Sequence, residues 1–231
     1  MSQQVPAPAR SGWRRGPRAL AGVAALLAAL IVVPVIRLLA SDGAAALAPG
    51  FYLPQRAGEV LTYRLGGSLR ATVELRLASR GVVAGVPTLS FEQLGTPTST
   101  ILPFGLSGGT VRIDGDTVVR TAEGGTVRDL AGPVAPGRRW SDVRHTGAAG
   151  GTGGTFTVAE DRTLLGPAAL DEPYGHLDRC LVVAVSSRAT SAGGSVSAAG
   201  ATLWYCEGVG LARAVLRGGA AGDTIDLVAV R

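Results

Sequence analysis

Two hydrophobic textures divide the chain. From Ala19 to Ile36 eighteen residues (ALAGVAALLAALIVVPVI) carry no charge, and after Arg37 the apolar character continues through Leu38-Leu39-Ala40. That length suits one helical crossing of a bilayer. Beyond Phe51 the apolar runs become short, rich in β-branched residues, and separated by Gly, Pro and Asp. These features predict strands: 59–66, 70–79, 87–94, 110–113, 117–121, 126–130, 155–165, 180–188, 201–206, 211–217 and 224–230. Alternation is cleanest at 71–77, where Val73, Leu75 and Leu77 share one face and Thr72, Glu74 and Arg76 the other. Asp114-Gly115-Asp116 and Gly218-Gly219 read as hairpin turns. After the N-terminal segment no amphipathic helix of ten residues stands out, although Pro167–Glu172 has the composition for one turn. The pattern predicts an all-β, antiparallel sandwich or open half-barrel of about ten strands, preceded by one transmembrane helix.

The densest β-favouring stretch, Leu177–Arg217, also holds both cysteines. A turn centred on Gly193-Gly194 sets the pairing register and brings Cys180 opposite Cys206. The same register sets Leu181 against Tyr205, Val183 against Leu203 and Val185 against Ala201 on one face. Val182/Trp204 and Ala184/Thr202 lie on the other. Both faces are apolar, so each packs against something or lines a cavity. A disulfide between facing strands fits an exported domain.

Charge bears on location rather than on ligand. Residues 1–37 hold Arg10, Arg14, Arg15, Arg18 and Arg37 and no acid, while residues 38–231 hold 17 arginines against 17 acids. The excess of +5 therefore flanks the apolar segment, keeps the N-terminus cytoplasmic and argues against a nucleic-acid groove. The expected organisation is a basic tail (1–18), a signal anchor (19–40), a linker (41–50) and an extracytoplasmic domain (51–231). A cleaved signal peptide is the alternative: Ala46-Leu47-Ala48 has the small-x-small form, but Pro49 would follow the cut. The chain contains no Lys and no Asn, which excludes a Schiff-base or P-loop lysine and an N-glycosylation acceptor.

Catalytic and metal chemistry find little support. His176, Asp178 and Cys180 alternate along one strand face, yet neighbours at i and i+2 stand about 7 Å apart along a strand, too far for a relay. His145 has no ligand-spaced companion. Asp114, Asp116 and Glu123 form a weak calcium set. The Gly150–Gly154 run lacks the lysine and following helix of a phosphate loop. No cofactor is implied.

Three local patterns carry a resemblance: Tyr52-Leu53-Pro54 with Gly58 and Tyr63; Tyr174-Gly175 through Asp178-Arg179-Cys180-Leu181-Val182-Val183; and Trp204-Tyr205-Cys206-Glu207-Gly208-Val209-Gly210-Leu211. Together they resemble exported bacterial β-domains of the periplasmic lipoprotein-carrier type, a β half-barrel. The resemblance implies no catalytic residue. It implies a hydrophobic concavity for a lipid or other apolar ligand, with Val182, Ala184, Thr202, Trp204 and Tyr205 as its expected lining. The expected function is a membrane-anchored, non-enzymatic extracytoplasmic binding domain. The alternative is a structural or protein–protein interaction module of the cell envelope with a filled core.

Overall fold

The computed structural model describes residues 48–68, 70–95, 106, 108–122, 125–146, 155–218 and 223–231. The tail, the 19–40 segment, most of the linker, Glu123 and the Gly150–Gly154 run lie outside them. Among the described residues no helix is long and apolar enough to cross a membrane.

A short 3-10 helix, Pro49–Tyr52, leads into twelve strands: β1 (Val60–Leu65), β2 (Ala71–Val83), β3 (Val86–Leu94), β4 (Gly109–Asp114), β5 (Thr117–Ala122), β6 (Gly125–Ala131), β7 (Arg139–Thr146), β8 (Phe156–Glu172), β9 (Gly175–Ser191), β10 (Val196–Cys206), β11 (Gly210–Arg217) and β12 (Thr224–Val230). They form one antiparallel sheet in the order β6-β5-β4-β3-β2-β1-β12-β11-β10-β9-β8-β7. Two meanders, β1–β6 and β7–β12, are thus joined through the β1–β12 ladder. The sheet curls until β6 and β7 face each other, making a nearly closed barrel.

Three expectations need correction. Among the described residues the count is twelve, because Arg139–Thr146 (RWSDVRHT) is a strand although four of its eight residues are charged or histidine. The sheet also wraps further than a half-barrel or a sandwich, since side chains, not a backbone ladder, close β6 onto β7. The single helical turn expected at Pro167–Glu172 is the last part of β8. Its apolar composition there serves strand pairing with β9.

The interior is filled by the period-2 residues of each strand. Val73, Leu75 and Leu77 are buried, as their alternation predicts, and with Leu61, Tyr63 and Leu65 they form one wall. The β9–β10 register is the one the Gly193-Gly194 turn implies: Cys180↔Cys206, Leu181↔Tyr205, Val182↔Trp204, Val183↔Leu203 and Ala184↔Thr202. Leu181, Val183, Leu203 and Tyr205 point inward and are buried. Tyr63 closes the wall by donating its hydroxyl to Leu211 O at 2.9 Å.

The strands define two rims. Ala48, the start of β1 and the β2–β3, β4–β5, β8–β9 and β10–β11 turns lie at the proximal rim; the β1–β2 and β9–β10 turns lie at the distal one. At the proximal rim, Gly208 N–H donates to Phe51 O at 3.1 Å, and Tyr52 and Leu53 are buried. The 3-10 segment therefore caps that mouth.

A disulfide joins Cys180 to Cys206, with Cα atoms 3.9 Å apart and both residues buried. It closes a separation of 26 residues, worth about 3 kcal/mol in the chain-entropy model, an upper bound because the hairpin already aligns its ends. Thiol titration of the unreduced, unfolded protein should find no free thiol. The double substitution Cys180→Ala, Cys206→Ala should lower unfolding stability by up to about 3 kcal/mol in urea titration.

Candidate functional site

The interior is not wholly apolar. Arg120 on β5, Asp129 on β6 and Glu160 and Arg162 on β8 are buried. Glu160 and Arg162 share the inward face of β8 with Leu164, each two residues apart. Asp129 is turned inward at the register shift in the β5–β6 ladder. The charges form one ladder. Arg120 holds Asp129 through two bonds, Nε to Oδ2 at 2.9 Å and Nη2 to Oδ1 at 3.1 Å. Arg162 bridges Asp129 at 3.3 Å and Glu160 at 2.9 Å. Arg144 on β7 completes Glu160 at 2.9 Å.

Burial alone would favour the neutral forms of Arg162 and Glu160, and their partners oppose it. For Arg162 burial acts downward, but Asp129 and Glu160 more than offset it and hold the guanidinium above its ordinary range. Burial pushes the Glu160 carboxyl up, and Arg162 and Arg144 bring it below normal. Tyr205, beside the ladder, has its hydroxyl raised first by burial and then by the Asp129 charge.

The ladder also closes the barrel. Arg128 on β6 has its backbone N–H bound by Asp142 Oδ2 at 3.1 Å and its carbonyl bound by the Trp140 indole N–H at 2.8 Å. Its guanidinium returns to Asp142 at 2.9 Å and to the Ser141 carbonyl. Two β7 side chains thus occupy edge groups that a neighbouring strand would otherwise bind. The charged composition that hid β7 in the sequence is what makes this seam.

Above the ladder, toward the capped mouth, lies a crevice of about 60 Å³. Arg120, Asp129 and Tyr205 line its polar side, Leu75, Phe91, Val111 and Leu211 its apolar side, and Leu53 and Pro54 its cap. It has room for a few waters.

The expected lining residues do not converge there. Tyr205 reaches the crevice. Val182, Ala184, Thr202 and Trp204 lie on the outward face of the same strands, because a one-residue step along a strand changes sides. Trp204 is half-buried under Arg213, whose guanidinium stands 5.8 Å from the ring centroid.

A second buried charge sits on that outer face. The β8–β9 hairpin tip crosses two strands, bent by the register shifts at Leu164/Gly166 and Ala168/Leu170. It brings Glu172 to 3.3 Å from Arg213 on β11. Arg213 also pairs with Asp226 of β12 at 3.5 Å. The Glu172 side chain is 1% exposed, and neither carboxyl oxygen has a hydrogen-bond partner. Burial, then the Asp226 charge, raise its pKa to about 7 against the pull of Arg213 and Arg64.

The histidines stand apart from both clusters. His145 contacts Thr157 Oγ1 at 3.2 Å. His176 bridges Asp171 at 2.6 Å and Asp178 at 2.9 Å in the open, and those carboxylates, Asp171 first, raise its pKa. The His176–Asp178 contact corrects the spacing argument: side-chain length closes the gap that the strand rise leaves. Cys180 remains outside that set, bound to Cys206. Among the described residues no three potential ligands cluster as a metal site.

No family model matches the chain, and no curated protein does. Two solved structures are similar. A candidate lipoprotein from Parabacteroides distasonis ATCC 8503 superposes with a TM-score of 0.60 at 13% identity, over 78% of this chain and 98% of that one. A candidate exported protein with a YmcC-like fold from Bacteroides fragilis NCTC 9343 gives 0.49 at 11% identity, over 78% and 99%. The first likeness establishes a shared fold.

The ladder makes an asymmetric prediction. Asp129→Asn leaves Arg120 and Arg162 facing each other without their shared anion and should cost about 3–5 kcal/mol in chemical denaturation. Arg162→Met leaves Asp129 with Arg120 and Glu160 with Arg144, and should cost clearly less. For Glu172, the folded pKa near 7 lies above the ordinary 4.5, so the folded state holds the proton more tightly. Stability should fall as pH rises from about 4.5 to about 7, by about 3 kcal/mol at most. Glu172→Gln should flatten that slope in urea titrations across this range.

Proposed function

We propose that this chain is a membrane-anchored, non-catalytic interaction module of the cell envelope, with its barrel outside the cytoplasm. The observation that carries the reading is the filled interior. Inward side chains and the ion ladder leave, among the described residues, a crevice of about 60 Å³, whereas pockets for acyl-sized ligands run to several hundred. The resemblance to lipoprotein carriers extends in this reading to exposure outside the cytoplasm, not to carriage inside the barrel. Further support comes from the arginines that precede residues 19–40, from the disulfide, and from the fold neighbour described as a candidate lipoprotein. Neither histidine faces a nucleophile with an orienting partner, which favours binding over catalysis.

Two measurements test this. An alkaline phosphatase fused after Arg231 should be active in intact cells; an inactive, full-length fusion would place the barrel in the cytoplasm. A photoactivatable palmitate, illuminated with the full chain in membranes, should leave Leu75, Phe91 and Leu211 unlabelled. Labelling at those residues would restore the carrier reading.

A further inference from the structure

The β2–β3 hairpin differs from every other turn on the proximal rim. Residues 78–85 are all exposed, and from Gly81 to Pro87 (GVVAGVP) no side chain is polar. Val82 and Val83 are 69% and 63% exposed. The turn itself is Ala84-Gly85, at φ 50° and 82°. An alanine there adopts the left-handed region at a cost of about 1 kcal/mol that a polar Asp or Gly would reduce. The β4–β5 turn of the same rim uses Gly115-Asp116, with Asp114 beside it. Water alone gives no reason for an apolar finger beside such polar neighbours.

Its position identifies what it meets. The base of the finger is tied to the lead-in segment: Arg80 Nη1 donates to Gln55 O at 2.8 Å and to Gln55 Oε1 at 2.5 Å. Leu77 and Gly58 are joined through the backbone at 2.8 Å. The described chain begins at Ala48 on this rim, and residues 41–47 separate it from the apolar 19–40 segment. Seven residues reach at most about 25 Å when fully extended. In an anchored chain the proximal rim, finger included, is therefore within reach of the bilayer surface. A tethered site needs little affinity of its own, because the tether supplies a high local concentration. Two or three small apolar side chains suffice.

We infer that the Gly81–Pro87 finger is a lipid-contacting tip that enters the interfacial region of the bilayer. It fixes the proximal rim toward the membrane and turns the distal rim, with the β9–β10 hairpin, outward. Arg80 sits at the base of the tip, at the depth of lipid phosphates. This inference rests on the anchored reading above.

The test uses the full chain reconstituted in phosphatidylcholine–phosphatidylglycerol vesicles. Because Cys180 and Cys206 are paired, Val83→Cys takes an environment-sensitive nitrobenzoxadiazole label alone. Val196→Cys, at the distal β9–β10 hairpin and 59% exposed, is the matched control. The label at 83 should shift to the blue and be quenched by spin-labelled lipid at least about threefold more than the label at 196. Equal quenching at both sites, or none at 83, overturns the inference. A blue shift at 83 that follows protein concentration and resists lipid quenching overturns it in favour of a second copy of the chain. Vesicle flotation separates the two readings. A chain that does not float has no anchor, whereas one that floats with a solvent-exposed label at 83 is anchored without a lipid-contacting tip.

Discussion

The architecture turns on Arg162. A guanidinium with a side chain wholly removed from solvent is tolerable only if anions reach it. Asp129 and Glu160 do so from two strands far apart in the sheet order, β6 and β8. Bringing β6 to β8 requires the sheet to curl back on itself, with β7 between them, so the charge and the curvature depend on each other. Remove the curl and Arg162 loses Asp129. Remove Asp129 and two cations face each other in the core. The apolar residues fill the barrel, but this ladder fixes which edges meet.

That division explains what the chain revealed in advance. The β9–β10 register was legible because a glycine turn is followed by β-branched residues on both arms, so turn position and pairing agree. The Val73–Leu77 alternation was legible for the same kind of reason. β7 was not, since Arg139, Asp142, Arg144 and His145 look solvated by composition. The inward charges were hidden more deeply. Arg120, Asp129, Glu160 and Arg162 break the rule that polar positions face out. The usable clue was phase: Glu160 and Arg162 keep step with Leu164. The crevice could not be foreseen, because it depends on how a capping segment and seven strands meet at one mouth. Glu172 was invisible for another reason, since only the bend of β8 carries it across to β11.

Two buried clusters serve different ends. In the inner ladder every charge meets an opposite one, although Nε of Arg144 and of Arg162 has no partner. In the outer one, beside Arg213, the Glu172 carboxyl has no hydrogen-bond partner and its pKa is raised to about 7. The first links β5, β6, β7 and β8. The second places a carboxyl of raised pKa where one hairpin meets β11.

The joining of two meanders through β1 and β12 has a temporal consequence. Val60 and Arg231 exchange backbone hydrogen bonds at 2.8 and 3.1 Å, so the middle of the sheet is built from the first and the last of the described strands. A chain emerging vectorially from the ribosome can form its first six described strands as a meander, and later its next five. The two halves share no ladder until β12 arrives between β11 and β1. Their unpaired edges stay open throughout that interval. The sheet is therefore joined only once β12 has emerged, and whatever shields its nascent edges must act until then.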